Sequence, residues 1–416
     1  MSVSRRDVLR MSAALGAAAC AGDVASEAPP VDASASWPAV PVTKPPWVQP
    51  LGPGAFRLRV ETREDVALQV ALLLGDTVEV RTLDRRVDKV DFSRPDYGRE
   101  GVIADEAGLH VLHETVIEGL SPGDVVSWTL QVAAAQPLEG AFRVAGGPEG
   151  TVIGWLSDTM WPFAADTAGA LAAQMPDLIL HGGDIQYEDL PFDTWNGFFA
   201  AMVPLSSQAP MAIAIGNHEF ETETEAEIMF DRLLGTQGVG GGRHFRMDVA
   251  NVRFLFLDSE STSLSDPTHP QAAWLEAQLD LVEETFDHTV VVFHRPVYTL
   301  SKHYSSGIGQ EAYIQPLLEA AGVKLVLAGH VHAFEHFVVG GVHHWVDGGG
   351  GALLYDPDED RGIAEKQRPD VVASRVFVSR SYGFTVLRLD DAGRLIVQRY
   401  ANDMPDTPLD EVIFEP

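Results

Sequence analysis

The sequence predicts a layered α/β domain, of the αββα type, preceded by an all-β sandwich. Three observations carry this. Residues 47–145 read as short alternating segments separated by turn residues. From Thr151 the pattern changes to apolar strands alternating with helical stretches. Charged and metal-ligating residue types cluster just after those strands, where open α/β sheets hold their ligands.

In the first segment Phe56-Arg57-Leu58-Arg59-Val60 and Val66-Ala67-Leu68-Gln69-Val70 alternate with period two. A Pro-Gly turn in Ser121-Pro122-Gly123-Asp124 then leads into the alternating run 125–132, which resembles the end of a fibronectin-type sandwich. His110 and His113 fall on opposite faces and read as structural.

In the second segment strands are expected at 152–156, 178–180, 211–215, 290–293 and 325–328, with helices at 271–284 and 311–321. Residues 253–257 and 375–399 read as hairpin or antiparallel strands. The expected division is a signal segment at 1–21, a flexible linker at 22–46, the sandwich at 47–145, the layered domain at 151–403 and a tail at 404–416.

The chain has 416 residues, enough for two buried cores. With 29 Lys and Arg against 60 Asp and Glu, the formal charge is −31. That disfavours nucleic acid and anionic membrane surfaces as partners, since both need clustered basic residues. Near the N-terminus Arg5-Arg6-Asp7-Val8-Leu9 precedes an apolar run, Met11 to Ala21, too short to span a bilayer. It resembles a twin-arginine export signal. The sole cysteine, Cys20, precludes an internal disulfide. Cleavage near Ala19 or Ala21 and lipidation of Cys20 both fit, so the expected location is periplasmic, secreted or anchored by lipid at the envelope.

Five short motifs each follow an apolar strand: Ser157-Asp158, Gly183-Asp184-Ile185-Gln186-Tyr187, Gly216-Asn217-His218-Glu219, Phe293-His294, and Gly329-His330-Val331-His332. Glycine before a ligand lets the backbone turn and approach an ion closely. Two cations about 3.5–4 Å apart need a shared carboxylate flanked by oxygen and nitrogen donors. Carboxylate and phenolate suit a hard ferric ion, and imidazole and amide oxygen suit a divalent one. His330 and His332, two apart in an extended segment, would point the same way and could serve two neighbouring ions.

The order and content of these motifs resemble the calcineurin-like metallophosphoesterases and, within them, the purple acid phosphatases. The likeness extends to Trp274-Leu275-Glu276, His294-Arg295-Pro296-Val297-Tyr298 and Ala333-Phe334-Glu335. Met160 stands where most of the superfamily has a histidine, and Tyr187 lies three residues after Asp184. The resemblance implies one metal site of Asp158, Asp184, Tyr187 and His332, and a second of Asp184, Asn217, His294 and His330, with Asp184 bridging. It implies Fe(III) plus a divalent Fe, Zn or Mn. It also implies hydrolysis of phosphorylated small molecules, as monoesters, by in-line attack of a metal-bound hydroxide, with His218 facing the phosphate and His303 as a candidate general acid. Ser-Asp-Thr-Met in place of Gly-Asp-x-Gly departs from the family pattern. A phosphodiesterase on the same scaffold and a non-catalytic surface module that keeps metal for structure are the alternatives. His343 and His344 read as sheet residues, and 348–351 as a flexible turn at the site mouth. The aromatics Trp161, Phe163 and Trp195 read mainly as packing.

Overall fold

The computed structural model describes residues 42–90, 108–132, 137–160, 163–187, 195–220, 226–240, 242–261, 264–280, 286–301 and 308–416. The signal segment, Cys20, Trp161 and His303 lie outside the described residues.

The N-terminal unit is β-rich. One sheet orders β1 (Val42–Gly52), β2 (Ala55–Thr62), β6 (Gly108–Ile117) and β5 (Asp84–Val90). The other orders β4 (Thr77–Thr82), β3 (Gln69–Leu74), β7 (Val125–Gln131) and β8 (Leu138–Arg143). Period-two alternation puts Leu58 and Val60 of the first sheet and Val70, Leu72, Val126 and Trp128 of the second into one shared core.

The remaining strands form two larger sheets. A six-stranded sheet runs β11 (Met211–Ile213), β10 (Leu178–His181), β9 (Thr151–Leu156), β19 (Gly383–Leu389), β20 (Leu395–Ala401) and β21 (Asp410–Phe414). A seven-stranded sheet runs β12 (Phe245–Val249), β13 (Val252–Phe256), β14 (His288–Phe293), β15 (Leu325–Ala328), β17 (Val342–Asp347), β16 (Phe334–Val339) and β18 (Arg375–Ser379). Ile153, Trp155, Phe254, Val290, Leu327 and Trp345 fill the space between them. The helices Ala164–Ala172 and Trp195–Ala201 pack on the outer face of the first sheet, burying Leu171, Trp195 and Phe198. Pro270–Asp280 and Ile308–Ala320 cover the second with Leu275, Ile314 and Leu318. The β9–β10–β11 and β13–β14–β15–β17 runs are parallel, so their carboxyl ends converge on one edge. No described helix is long and apolar enough to cross a membrane.

Three expectations are corrected. Residues 42–46 belong to β1, not to a linker. Lys44 pairs with Glu61 across the sheet, and the two prolines fall in a register shift between Lys44 and Trp47, where the missing N–H groups are tolerated. Residues 404–416 are not a tail, because β21 pairs with β20 and brings Phe414 to the inter-sheet core. Residues 375–399 do not form one hairpin: β18 joins the seven-stranded sheet and β19–β20 the six-stranded one.

The two units meet through Trp47, whose ring lies 4.5 Å from that of Phe199, and through a buried ionic hub. Glu61 accepts from Lys44 Nζ at 2.7 Å, faces His110 Nδ1 at 2.9 Å and is bound by Arg232. Lys44 also reaches Asn196 Oδ1 at 2.8 Å. Burial opposes ionisation of Glu61, but the Lys44 ammonium and its other partners outweigh it and hold the carboxyl below its ordinary range. His113 Nε2 lies 2.9 Å from Thr62 Oγ1, so both histidines of β6 serve this structure. Glu61→Ala should cost about 3–5 kcal/mol, because it leaves Lys44 buried without its counter-charge. Urea unfolding measures it, and a loss under about 1 kcal/mol, the value of an exposed pair, would mean that water already reaches the hub.

Candidate metal centre

The strand ends deliver the side chains that the sequence singled out. Asp158 lies two residues past β9, Asp184 three past β10, and Asn217 and His218 follow β11. These come from the six-stranded sheet. His294 follows β14, and His330 and His332 follow β15, from the seven-stranded sheet. The site therefore straddles the seam between the sheets.

The backbone there is held in unusual conformations. Asp158, Asp184 and His330 adopt φ of 59°, 54° and 69°, the left-handed region, which costs a residue with a Cβ roughly 1–3 kcal/mol. Cross-ties hold these turns. Asp158 N–H donates to Gly183 O at 3.1 Å, and His330 N–H to Asp158 Oδ2 at 2.8 Å. Glu219, fully buried, accepts from the N–H groups of Asp184, Ile185 and Gly216 at 2.8, 2.8 and 2.9 Å. Sequence reading gave Glu219 no role although it lies within the Gly-Asn-His-Glu motif. Close approach explains the glycines: a Cβ on Gly329 would meet Ser157 Oγ at 2.0 Å. Residues 348–351 are not a flexible turn at the mouth. They are buried behind Asp158, with Gly350 N–H on Ser157 O and Ala352 N–H on Asp158 O, both at 2.9 Å. The His330–His332 segment is also not extended, since Val331 and Ala333 N–H groups close tight turns onto Gly329 and Val331.

The donor atoms form two small clusters, one a triangle and the other a group of four centred on His294 Nε2. In one, Tyr187 Oη lies 3.1 Å from Asp158 Oδ1 and 2.9 Å from His332 Nε2, and His332 Nε2 lies 3.4 Å from Asp158 Oδ1. In the other, His294 Nε2 lies 3.2 Å from each of Asn217 Oδ1, Asp184 Oδ2 and His330 Nδ1. Metal–ligand bonds of about 2.0–2.2 Å put neighbouring donors about 3 Å apart, so the edges of the triangle and the three spokes from His294 Nε2 have the spacing of donors in a coordination shell. Asp184, His294 and His330 are all buried and gather ligand atoms within 4.8 Å of one another.

Tautomers agree for two of the imidazoles. His294 Nδ1 lies 2.8 Å from Gly182 O, and His332 Nδ1 lies 2.9 Å from Leu353 O. A carbonyl only accepts, so the ring proton sits on Nδ1 and Nε2 turns a lone pair toward the cluster. Tyr355 stacks on the His332 ring at 4.0 Å and fixes its plane.

The electrostatics are those of a cation site. Burial opposes a charge on Asp184, but His294 and His218 outweigh it and hold the carboxyl below its ordinary range. Burial likewise opposes a proton on His294, and the Asp184 carboxylate beside it wins, raising that imidazole. Burial and then the Asp158 and Asp184 carboxylates push the Tyr187 phenol well up. Burial and Asp184 push Glu219 up to about 8. The carboxylates that draw a proton onto imidazole would equally hold metal ions, so the residues present fit two cations.

Other expectations are placed as follows. His218 stands outside both clusters, with Nε2 4.0 Å from Asp184 Oδ2 and its ring 4.2 Å from that of Tyr187. Tyr187 packs with Met160 and Ala352, and Trp195 is buried in the helical layer. Phe163 is exposed. His343 and His344 are strand residues of β17, His344 bonding Gln315 Oε1 at 2.8 Å. Sequence reading passed over Arg295, whose Nη1 lies 3.2 Å from His330 Nε2, and Glu260, which binds Arg295 at 2.8 Å.

Residues 153–334 match the Calcineurin-like phosphoesterase family. Purple acid phosphatase 22 of Arabidopsis thaliana is 31% identical over 199 residues, covering 45% of each chain. Purple acid phosphatase 18 of the same plant is 28% identical over 252 residues, 55% of each. The chain thus spans about half the length of the curated relatives it matches. Among solved structures, the purple acid phosphatase PPD1 from yellow lupin (Lupinus luteus) seeds superposes with a TM-score of 0.70 at 16% identity. That superposition covers 89% of this chain and 74% of that one, a likeness of fold. Residues 153–334 thus resemble a calcineurin-like phosphoesterase domain, and the two curated relatives named are purple acid phosphatases.

Proposed function

We propose that this chain is an exported, dinuclear-metal hydrolase of phosphate monoesters. The observation that carries the reading is the pair of donor clusters, each with donors spaced as in a coordination shell and each drawn from both sheets. Asp158, Tyr187 and His332 would hold one cation, Asn217, His294 and His330 the other, with Asp184 shared. Bound there, two cations supply charge neutralisation at phosphoryl oxygens and a lowered pKa for water.

The chain's own residues have defined tasks around that centre. Glu219 keeps the Asp184 and Asn217 loops in register through three backbone bonds. Gly182 O and Leu353 O orient the ligating imidazoles. His218 is partly exposed and lies outside the donor set, so it is placed to donate to the substrate phosphate or its leaving group. The N-terminal β-rich unit is read as a fibronectin-type module, supported by the Ser121–Asp124 turn and the two facing sheets. Metal analysis of the purified protein, with a panel of monoester and diester substrates, tests the whole reading and separates monoesterase from diesterase.

Asp184→Ala should lose metal and abolish turnover. His218→Ala should keep its metal and lose about 10²–10⁴ in kcat. Metal content and steady-state rates measured on both variants check this, and a His218→Ala enzyme with unchanged kcat removes that residue from the chemistry.

Tyr187 tests the identity of the first metal. Its phenolate is a hard donor that favours Fe(III), and iron phenolates absorb in the visible by charge transfer. Protein isolated with iron should be coloured, and Tyr187→Phe should bleach it while leaving the far-ultraviolet circular dichroism unchanged. A colourless wild type, iron-free and active with Zn or Mn, overturns the ferric assignment.

Export is read from the twin arginines. Arg5→Lys with Arg6→Lys should strand the protein in the cytoplasm on cell fractionation. Undiminished export would mean another route. Cys20→Ser should release membrane-bound protein only if Cys20 carries lipid.

A further inference from the structure

One cation borders the cluster without belonging to it. Arg295 follows His294 directly, at the end of β14. Its guanidinium is fastened on two edges. Nε donates to Glu260 Oε2 at 2.8 Å, and Nη1 donates to His330 Nε2 at 3.2 Å. The Glu260 side chain is only 3% exposed and is itself held, Ser259 Oγ donating to its Oε1 at 3.0 Å, while its backbone N–H donates to Asp258 Oδ1 at 2.8 Å. The Arg295 N–H reaches the same loop, donating to Ser259 Oγ at 3.1 Å. Yet the Arg295 side chain is 30% exposed, and its Nη2 group has no protein acceptor among the described residues.

A loop clamp alone would not require this arrangement. The ion pair to Glu260 uses Nε, and the open Nη2 edge adds nothing to it. A guanidinium already fixed by Glu260 has lost part of its rotamer freedom before any ligand arrives. A planar fork with free N–H groups beside a metal-ligand imidazole is suited to phosphate oxygens.

His330 adds a coupling. A guanidinium only donates, so His330 Nε2 accepts and the ring proton sits on Nδ1, facing His294. This is the reverse of the tautomer at His294 and His332. A cation held at Nδ1 would take the place of that proton, so the fastening of Arg295 that does not depend on the His330 tautomer is the ion pair to Glu260.

We propose that Arg295 is a substrate-binding residue that selects phosphate monoesters over diesters by taking a third non-bridging oxygen. The proposal rests on the phosphoesterase reading above. A monoester phosphate has three non-bridging oxygens sharing two charges, and a diester has two sharing one. A donor beyond the metal cluster therefore has an oxygen to itself only in the monoester. Glu260 is a positioning residue in this scheme, since it holds Nε.

The test uses metal-loaded full-length protein as wild type, Arg295→Ala and Arg295→Lys. Metal content, inorganic phosphate binding by calorimetry, and kcat/KM for 4-nitrophenyl phosphate and bis(4-nitrophenyl) phosphate are measured on each. Arg295→Ala should keep its metal, bind phosphate about tenfold or more weakly, and lose about tenfold in the monoester-to-diester ratio, chiefly through KM. Arg295→Lys should recover only part of this, because an ammonium keeps the charge without the fork. Unchanged phosphate affinity, or equal losses on both substrates, overturns the proposal. So does loss of metal from Arg295→Ala that Arg295→Lys restores, which would assign Arg295 to holding His330. A wild type that hydrolyses neither substrate but binds phosphate through Arg295 would sink the hydrolase reading and leave the anion site standing.

Discussion

The site depends on the burial of the Asp184 carboxylate. A carboxylate taken out of water carries a penalty of several kcal/mol unless partners replace its hydration. Asp184 finds them in the His218 N–H at 2.9 Å and the His294 ring at 3.2 Å, with a backbone locked by Glu219. Protein groups alone leave the cluster oddly composed. Two aspartates, a phenol and three imidazoles crowd within hydrogen-bonding distance, and two of those imidazoles aim lone pairs inward. Lone pairs facing carboxylates repel unless a proton or a cation lies between. That frustration is the physical content of the metal assignment.

Holding such a cluster requires a stiff frame, and the fold supplies it by division of labour. Asp158, Asp184 and Asn217 ride on the six-stranded sheet, and His294, His330 and His332 on the seven-stranded one. Neither sheet contains a full cluster. Tyr187 and Asp158 meet His332, and Asp184 and Asn217 meet His294, only because the inter-sheet core fixes the two edges against each other. Close packing transmits errors of a few tenths of an ångström, so core substitutions between the sheets act on ligand geometry as well as on stability. The N-terminal unit grips the outer helical layer through Trp47 and Glu61, away from this seam.

Much of this was legible in the sequence because ligands at strand ends leave local marks: an apolar run, a glycine, then a donor. Those marks singled out strand-end residues that the structure brings together, while Tyr187 was added by the family resemblance. What escaped has no local mark. Residues 42–46 look like linker until Lys44 is seen against Glu61, and 404–416 look like a tail until β21 pairs with β20. Both are long-range pairings with proline-rich approaches, and proline is read locally as a break. Glycines 348–351 have a composition that suggests a flexible turn, but their tightness comes from Asp158 packing behind them, a contact nearly two hundred residues distant in the chain. Arg295 and Glu260 escaped because a pair 35 residues apart has no spacing rule.

The charge distribution gives the arrangement its last constraint. At −31 the chain repels phosphate at long range, yet screening confines that repulsion to about 8 Å at physiological salt. An anionic substrate therefore has to be won by short-range cations. The described cluster supplies few of its own: it holds no Lys or Arg, and its imidazoles are ligand candidates whose lone pairs a metal would use. In the proposed reading, positive charge at the site would come from two metal ions and from a cation at the rim. Arg295 is that cation, because Glu260 fixes it in place while leaving one edge toward solvent. An acidic protein can bind a dianion in this way, by keeping its favourable charge local, rigid and adjacent to the metals.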